Sequence, residues 1–595
     1  MREPRIAELV PYFYLCKDVG LLHDALQTTV SAFYDHVERR TATRGYHQLM
    51  LVDLPSLGSA FDSALSKGYI VFGSIPESMG ARDVGRFQHS WIYRSLLHVC
   101  FDSFGQLDAD VPVEVVAGIR QLLYFYKKAV INCPQEALKE TVDAFIQIES
   151  DLRHPDLPWN HDRFSYDKLT FRDSVLLADH LPRRFWSILD SVISRMVPGR
   201  TLCPSQIRPK HGPGAVADVR TGLDKFSAQS WPLKLNSVFD EDLFRYSSEE
   251  VAFYRGDNLS RDEPAAALIA VPKTYKGPRL IASEPTYHQF IQQGLMRWIR
   301  QNMTSLSRMC ISFHDQEPSR AAAIEASITG LSATVDLSSA SDRLSCWVVE
   351  RAFSSNPTLL RALHAARSRF LTDRTGCYPD LSMQIRKFAA QGAAVTFPVQ
   401  TIVYASIAIA SVLFDYGAHE VTSRSARRAA RKVRVFGDDI IIPSQNFATL
   451  VAALTALQLK VNVTKSHYTG HFRESCGMDA YHGHDVTPIY LADMLPPDQK
   501  RCGKICSWLD VSNHLHCAAM WKTSDWMLSQ LPFSIRRRLL YTHDLGSGLR
   551  ATTYCKGYRT ISSRRWNRFH QRQEIRLIVP LSKTEVVARG TYDDL

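Results

Sequence analysis

The sequence predicts a mixed α+β chain, and three observations carry that prediction. Apolar and aromatic residues recur at helical spacing through the first two hundred residues, two β-rich runs flank a basic turn near the middle, and short apolar runs enclose an acidic turn at 434–443. At 595 residues and 45% hydrophobic content, the chain has length for roughly two to four units with large cores. Lys and Arg number 71 against 60 Asp and Glu, a net of +11 with a pI near 9.0, which favours a polyanionic partner such as nucleic acid or an anionic membrane surface. No internal repeat or low-complexity tract interrupts the chain, so its units are expected to pack as one body.

The opening "MREPRIAELVPYFYLC" carries acidic residues and a proline where a signal peptide needs an unbroken apolar core, so an exported protein is not expected. The longest apolar run, Ile402 to Phe414, falls short of the ~20 residues of a membrane span. The reading is a soluble, intracellular protein with no membrane partner. Its twelve cysteines are expected to be reduced and mostly buried.

"ALQTTVSAFYDHV" and "IRQLLYFYKKAVI" predict helices without naming a chemistry. "RPKHGPGAVADVR", Arg208 to Arg220, reads equally as a rigid turn beside a phosphate chain and as a plain surface loop. "LIAVPKTYKGPRLIASEP", Leu268 to Pro285, predicts two strands about a turn that carries Lys273, Lys276 and Arg279. Such cations repel one another unless solvated or facing an anion. On a triphosphate they would be charge-assisted donors.

"SATVDLSSASDRLS", Ser332 to Ser345, predicts a short buried strand ending at Asp336, with a helix beginning at Ser341 or Asp342. A lone aspartate there is commonly a helix cap. Its meaning changes if a second carboxylate meets it. "RVFGDDIIIP", Arg434 to Pro443, supplies one: Gly437, Asp438 and Asp439 have turn composition between strand-like runs, so the carboxylates sit at a hairpin tip. Adjacent carboxylates repel unless a cation lies between them. If the strand ending in Asp336 pairs beside this hairpin, the three carboxylates could hold two Mg²⁺ ions roughly 3.5 to 4 Å apart, as in-line phosphoryl transfer uses.

Cys502, Cys506, His514, His516 and Cys517 fit no common zinc spacing and read as thiols and imidazoles on a helix whose Ile505, Trp508 and Leu509 pack inward. "SRSARRAARKVR" predicts a helix with Arg424, Arg427, Arg428 and Arg431 on one, by default solvated, face. Leu531 to Pro580 holds eleven Lys or Arg against Asp544 and Glu574, a net of +9, and "SSRRWNRFHQRQEIR" mixes Arg564, Arg565 and Arg568 with Trp566 and Phe569 as an RNA-backbone and base-stacking surface.

The ordered set of basic ribbon, "TVDLSSASD", glycine-led helix start, "FGDD", "FRESCG" and "DVTPIY" resembles the catalytic (beta) subunit of RNA bacteriophage (levivirus) replicases, which are viral RNA-directed RNA polymerases. The detailed likeness runs from about Val271 to Tyr490. It implies a right-hand fold with fingers, palm and thumb and an antiparallel palm sheet flanked by helices. The implied regions are a mainly helical 1–200 belonging to the fingers, fingers 201–330, palm 331–500 with a fingers insertion near 352–388, and thumb with basic C-terminal region 501–595. The resemblance also implies Mg²⁺ ligands at Asp336, Asp438 and Asp439, and triphosphate contacts at Lys273, Lys276 and Arg279. It further implies a ribose-proximal Asp342, a nucleotide-site loop and helix start at Gly392 and Thr396, and a general acid at Lys465. Ala390 and Ala393 depart from it, standing where relatives carry serine and asparagine, so Asp342 with Thr396 is left to recognise the 2′-hydroxyl. The implied partners are template and product RNA, nucleoside triphosphates, host elongation factors Tu and Ts and, in some cases, ribosomal protein S1, in the cytoplasm of the infected bacterium.

Overall fold

The computed structural model describes residues 4–80, 84–163, 167–174, 181–219, 225, 231–244, 259–260, 262–493, 502–542, 549–554 and 564–575. Compactness groups the chain into two units: 1–58, 72–131 and 488–595 form one, and 59–71 with 132–487 form the other.

The first unit is mainly helical. Helix Asp24–Arg44 buries Leu26, Val30, Phe33 and Val37, the spacing that predicted it. Helix Pro4–Val19 packs on helix Trp521–Ser529, and the Asp18 carboxylate accepts from the Lys522 and Thr523 amides at 3.0 and 2.7 Å, capping that helix from outside. The Cys502–Cys517 segment is the expected helix, with Ile505, Trp508 and Leu509 buried and the Trp508 indole donating to the Met527 carbonyl at 2.7 Å. Ten of the cysteines among the described residues, Cys506 and Cys517 included, are free thiols. Arg564–Asn567 and Arg572–Ile575 form an antiparallel hairpin.

The second unit holds the sheets. Its four-stranded sheet runs in the order Gly277–Ser283, Ala266–Thr274, Phe370–Asp373, Ser382–Gln384. A three-stranded antiparallel sheet sets Asp439–Pro443 between Ser332–Val335 and Arg434–Phe436. A third sheet joins Phe472–Ser475, Met478–Tyr481 and His484–Asp485. The basic ribbon is tighter than its sequence suggested. Pairing continues to Thr274 and Gly277, past a bulge, so Lys273 and Arg279 stand on strands and only Lys276 lies in the turn.

The apolar run that looked too short for a span belongs to a longer helix, Thr396–Asp415, because Thr396 to Thr401 extend it by a turn and a half. That helix is long and apolar enough to cross a membrane, yet 89% of its apolar window is buried inside the protein, where it packs against Arg183–Met196. Ile402, Val403, Ile407 and Ile409 are fully buried, as a central core helix requires. Pro398 falls in its first turn, where its missing N–H is harmless. The arginine-rich segment is the helix Ser423–Ala430, with Ala426, Ala429 and Ala430 inward and Arg424, Arg427 and Arg428 exposed. The 208–219 loop is fastened down: Asp218 caps helix Thr286–Gln301 through the Thr286 amide and hydroxyl, and Arg374 donates to the Ala217 carbonyl.

Candidate active site

The acidic hairpin turns on two residues. Phe436 pairs with Asp439, leaving Gly437 and Asp438 at the tip, and Gly437 takes φ +66°, the left-handed backbone that a Gly-first hairpin turn requires. Space demands glycine too, since a Cβ there would lie 2.9 Å from the Phe397 ring. The Gly437 amide donates to the Thr401 hydroxyl at 3.2 Å, tying the tip to the core helix.

Register brings in the third carboxylate. Ile440 pairs with Val335, so the next step along both strands sets Asp439 across from Asp336. Asp336 is held from the far side: Asn462 donates its side-chain amide to Oδ2 at 2.9 Å and its backbone N–H to the Asp336 carbonyl at 2.8 Å. Burial pushes the Asp336 carboxyl above its usual range, with Asp438 adding to the push and Lys465, Asn462 and Lys273 opposing it. Asp439 is pushed up to about 7, first by burial and then by Asp438, Asp336 and Glu474, against a hydrogen bond from the Cys476 thiol. The hairpin therefore carries more negative charge than its surroundings compensate. Hard oxygen donors with surplus charge suit a divalent cation such as Mg²⁺. Among the described residues no three His, Cys, Asp or Glu side chains are already gathered closely enough to enclose an ion, so a cation would have to draw these carboxylates inward.

Two lysines lean toward the acids. The Lys273 ammonium is lowered by burial and by Arg279 and Lys465, and raised by Asp336 and Asp438, which places the ribbon within the field of the hairpin. Lys276 and Arg279 are exposed. Lys465 follows the strand Lys460–Val461 in a bend and is half-buried. It bridges Glu474 at 3.6 Å, and Glu474, Asp336 and Asp439 together outweigh burial and raise its pKa.

The remaining expected residues flank this centre. Asp342 lies on the short helix Ala340–Arg343, entered through Ser339 at φ +52°, a strained backbone for serine. The Tyr404 hydroxyl donates to the Ala340 carbonyl at 2.8 Å, and its phenol is raised by burial and by both Asp438 and Asp342. Gly392 takes φ +126° against the Ala282 carbonyl, where no Cβ fits. Thr396 opens the core helix buried, its hydroxyl donating to the Ala390 carbonyl at 3.1 Å. Ala390 and Ala393 are buried as well.

Sequence reasoning missed Asn462, Glu474, Cys476 and Lys387. Glu474 and Cys476 lie in the "FRESCG" stretch it quoted without a role, and Asn462 and Lys387 carry no local signal. Cys476 takes φ +51° before Gly477 at +74°, a two-residue turn between strands Phe472–Ser475 and Met478–Tyr481, and Arg320 donates to its carbonyl at 3.1 Å.

In the first unit, Arg565 pairs with Glu574 at 2.8 Å and Arg572 reaches the same carboxylate at 3.5 Å. Arg564 opens the hairpin strand, Arg568 is exposed at its turn, and Trp566 and Phe569 are 56% and 89% exposed.

Part of the chain is similar to known proteins. Residues 244–508 match the RNA replicase beta-chain family. This replicase-like segment contains the ribbon, all three carboxylates and Lys465. Over 236 residues the chain is 33% identical to the RNA-directed RNA polymerase subunit beta of Escherichia virus Qbeta, covering 39% of this chain and 36% of that one. It is 32% identical over 234 residues to the same subunit of Qbeta virus (strain MX1), and 30% identical over 224 residues to the RNA-directed RNA polymerase beta chain of Escherichia phage MS2. The matched stretch spans little more than a third of the length of these relatives. Among solved structures, the BmCPV RNA-dependent RNA polymerase at elongation state aligns with a TM-score of 0.46 and 10% identity over 84% of this chain and 46% of that one.

Proposed function

We propose that the chain is the catalytic subunit of an RNA phage replicase, an RNA-directed RNA polymerase with a right-hand fold that copies a single-stranded RNA genome by two-metal-ion nucleotidyl transfer. The observation that carries this reading is the pairing of Ile440 with Val335, which brings Asp336 and Asp439 to neighbouring strand ends within reach of each other's charge, beside Asp438 at a hairpin tip and with Lys273 in the same field. The match of residues 244–508 to replicase beta chains supports it.

In this reading Asp336, Asp438 and Asp439 hold two Mg²⁺ ions, which when bound supply activation of the 3′-hydroxyl and neutralisation of the phosphates. Lys273, Lys276 and Arg279 grip the triphosphate oxygens and align the α-phosphate for in-line attack. Asp342 accepts from the ribose 2′-hydroxyl, while Gly392 and Thr396 shape the loop beneath the nucleotide. Lys465 faces the departing pyrophosphate as counter-charge and proton donor once Glu474 releases it. In the tail, Arg564, Arg565, Trp566 and Arg568 bind template or product RNA. The beta-subunit names of the relatives suggest work in a complex, with host elongation factors Tu and Ts and, in some cases, ribosomal protein S1 as its members, in the bacterial cytoplasm.

Asp438→Asn tests the reading. Asparagine keeps the size and turn preference of aspartate but removes a metal-holding charge, so single-nucleotide extension should fall by roughly a thousandfold or more. Template affinity, measured on the same preparation, should hold. Wild-type extension by the variant would overturn the metal-site assignment, and loss of RNA binding alongside extension would mark the aspartate pair as structural.

A further inference from the structure

We infer that Lys387 is the positioning residue for sugar selection: its buried ammonium pins one oxygen of Asp342 and so presents the other to the 2′-hydroxyl of the incoming nucleotide. This rests on the polymerase reading and on the place of Asp342 within it.

Lys387 is fully buried, with its Nζ 3.2 Å from Asp342 Oδ1, 3.2 Å from Glu149 Oε1 and 3.4 Å from the centre of the Phe145 ring. One hydrogen bond, a second carboxylate and a ring face hold the ammonium in place. Each partner is itself fixed. The Arg386 amide donates to Glu149 Oε2 at 2.6 Å, and Phe145 and Glu149 share the helix Gln135–Asp151. The Lys387 backbone is clamped on both sides. It bridges Ser345, with the Cys346 amide donating to the Arg386 carbonyl at 2.9 Å and the Phe388 amide to the Leu344 carbonyl at 2.7 Å. The buried Arg367 guanidinium donates to the Lys387 and Phe388 carbonyls from the other side. A cation this thoroughly held is a rigid post.

Asp342 receives the benefit. Its side chain is 19% exposed, Oδ1 is taken by Lys387, and Oδ2 has no partner among the described residues. A carboxylate only accepts, so the open oxygen matches a hydroxyl donor. Its neighbours offer less: Ala390 and Ala393 have no polar side-chain atom, and Thr396 is buried with its hydroxyl turned to the Ala390 carbonyl. Asp342 and Asp438 share Tyr404 as a neighbour: its hydroxyl donates to the Ala340 carbonyl of the Asp342 helix, and both carboxylates act on its phenol. An acceptor that must choose between sugars differing by one hydroxyl works only if it cannot swing away, because misplacement by about 1 Å can cost on the order of a hundredfold.

The test compares a matched ribo- and deoxyribonucleoside triphosphate on a preformed primer and template, using the full chain and reading kcat/KM for each. Lys387→Met should lower the ribo-to-deoxy ratio by roughly tenfold or more through the ribonucleotide arm. Asp342→Ala should lower it comparably, and the double variant should fall no further than Asp342→Ala alone. A structural role for Lys387 would depress both sugars alike and leave the ratio at the wild-type value, which overturns the inference while a relaxed Asp342→Ala leaves the polymerase reading standing. An unchanged ratio in Asp342→Ala removes Asp342 from the sugar site and overturns the inference, while the polymerase reading stands or falls on extension by the wild type and by Asp438→Asn. The ratio is independent of the active fraction. If the Met variant gives no soluble chain, Lys387→Gln, which keeps a donor without the charge, carries the same expectation and the same refutation.

Discussion

Replacing Asp439 by asparagine should make the protein less active and, at alkaline pH without metal, more stable. Burial and the charges of Asp438, Asp336 and Glu474 raise the Asp439 carboxyl from 3.8 to about 7. The folded state thus binds the extra proton between those two values, and wild-type stability falls as pH rises from about 4 through about 7, reaching its full loss above the folded pKa. Three units correspond to about 4 kcal/mol, and water reaching a partly buried group reduces that to roughly 2 kcal/mol. Against this stands about 1 kcal/mol for a buried amide N–H₂ without a designed partner. The variant should therefore gain on the order of 1 kcal/mol at pH 8, and the gain should vanish or reverse at pH 5, where wild-type Asp439 is already protonated. Denaturant melts from pH 5 to 8 in chelator, repeated with millimolar Mg²⁺, measure both halves. Mg²⁺ should stabilise the wild type and leave the variant unmoved, because only the wild type binds it tightly. A variant less stable than wild type at pH 8 in chelator, or equally stabilised by Mg²⁺, would refute the picture of a charge-frustrated metal site.

Gly392→Ala should destabilise the second unit by about 3 kcal/mol or more, since φ +126° and the Ala282 carbonyl both oppose a Cβ; a denaturation midpoint unchanged from wild type would show that the loop has room to shift. Lys465→Arg should cut extension by roughly a hundredfold and remove the alkaline limb of the pH–rate profile, because arginine keeps the charge but is too weak an acid to give up its proton, whereas lysine, its pKa raised by Glu474, titrates at alkaline pH; near wild-type extension with that limb intact would leave Lys465 as a counter-charge only. Arg568→Gln should weaken RNA binding and flatten its salt dependence more than Arg565→Gln, since Arg565 is already paired with Glu574. Filter binding at several salt concentrations decides between them, and equal effects would assign both arginines to the backbone contact.

The local elements were legible in the sequence because local physics makes them. Leu26, Val30, Phe33 and Val37 repeat at the period of a helix, Gly437 supplies the only backbone that a two-residue turn at Asp438 tolerates, and alanines on one side of the Arg424–Arg431 segment leave its arginines outside. The adjacency of Asp438 and Asp439 was itself a signal, because repulsion between them asks for a cation. What the sequence left conditional was whether Asp336, about a hundred residues earlier, would meet them. Only the register of strand 439–443 on strand 332–335 decides it, and register depends on packing both strands into one core. The same holds for the carboxyl of Asp439 at about 7, which comes from the protein surroundings that replace water, and for Lys387, an ordinary residue in "QIRKFAAQG" until the fold closes Glu149, Phe145 and Asp342 around it. Spacing along a chain fixes what neighbours do to one another. Charge in a buried site is fixed by groups far apart in sequence, and only the folded structure brings them within range.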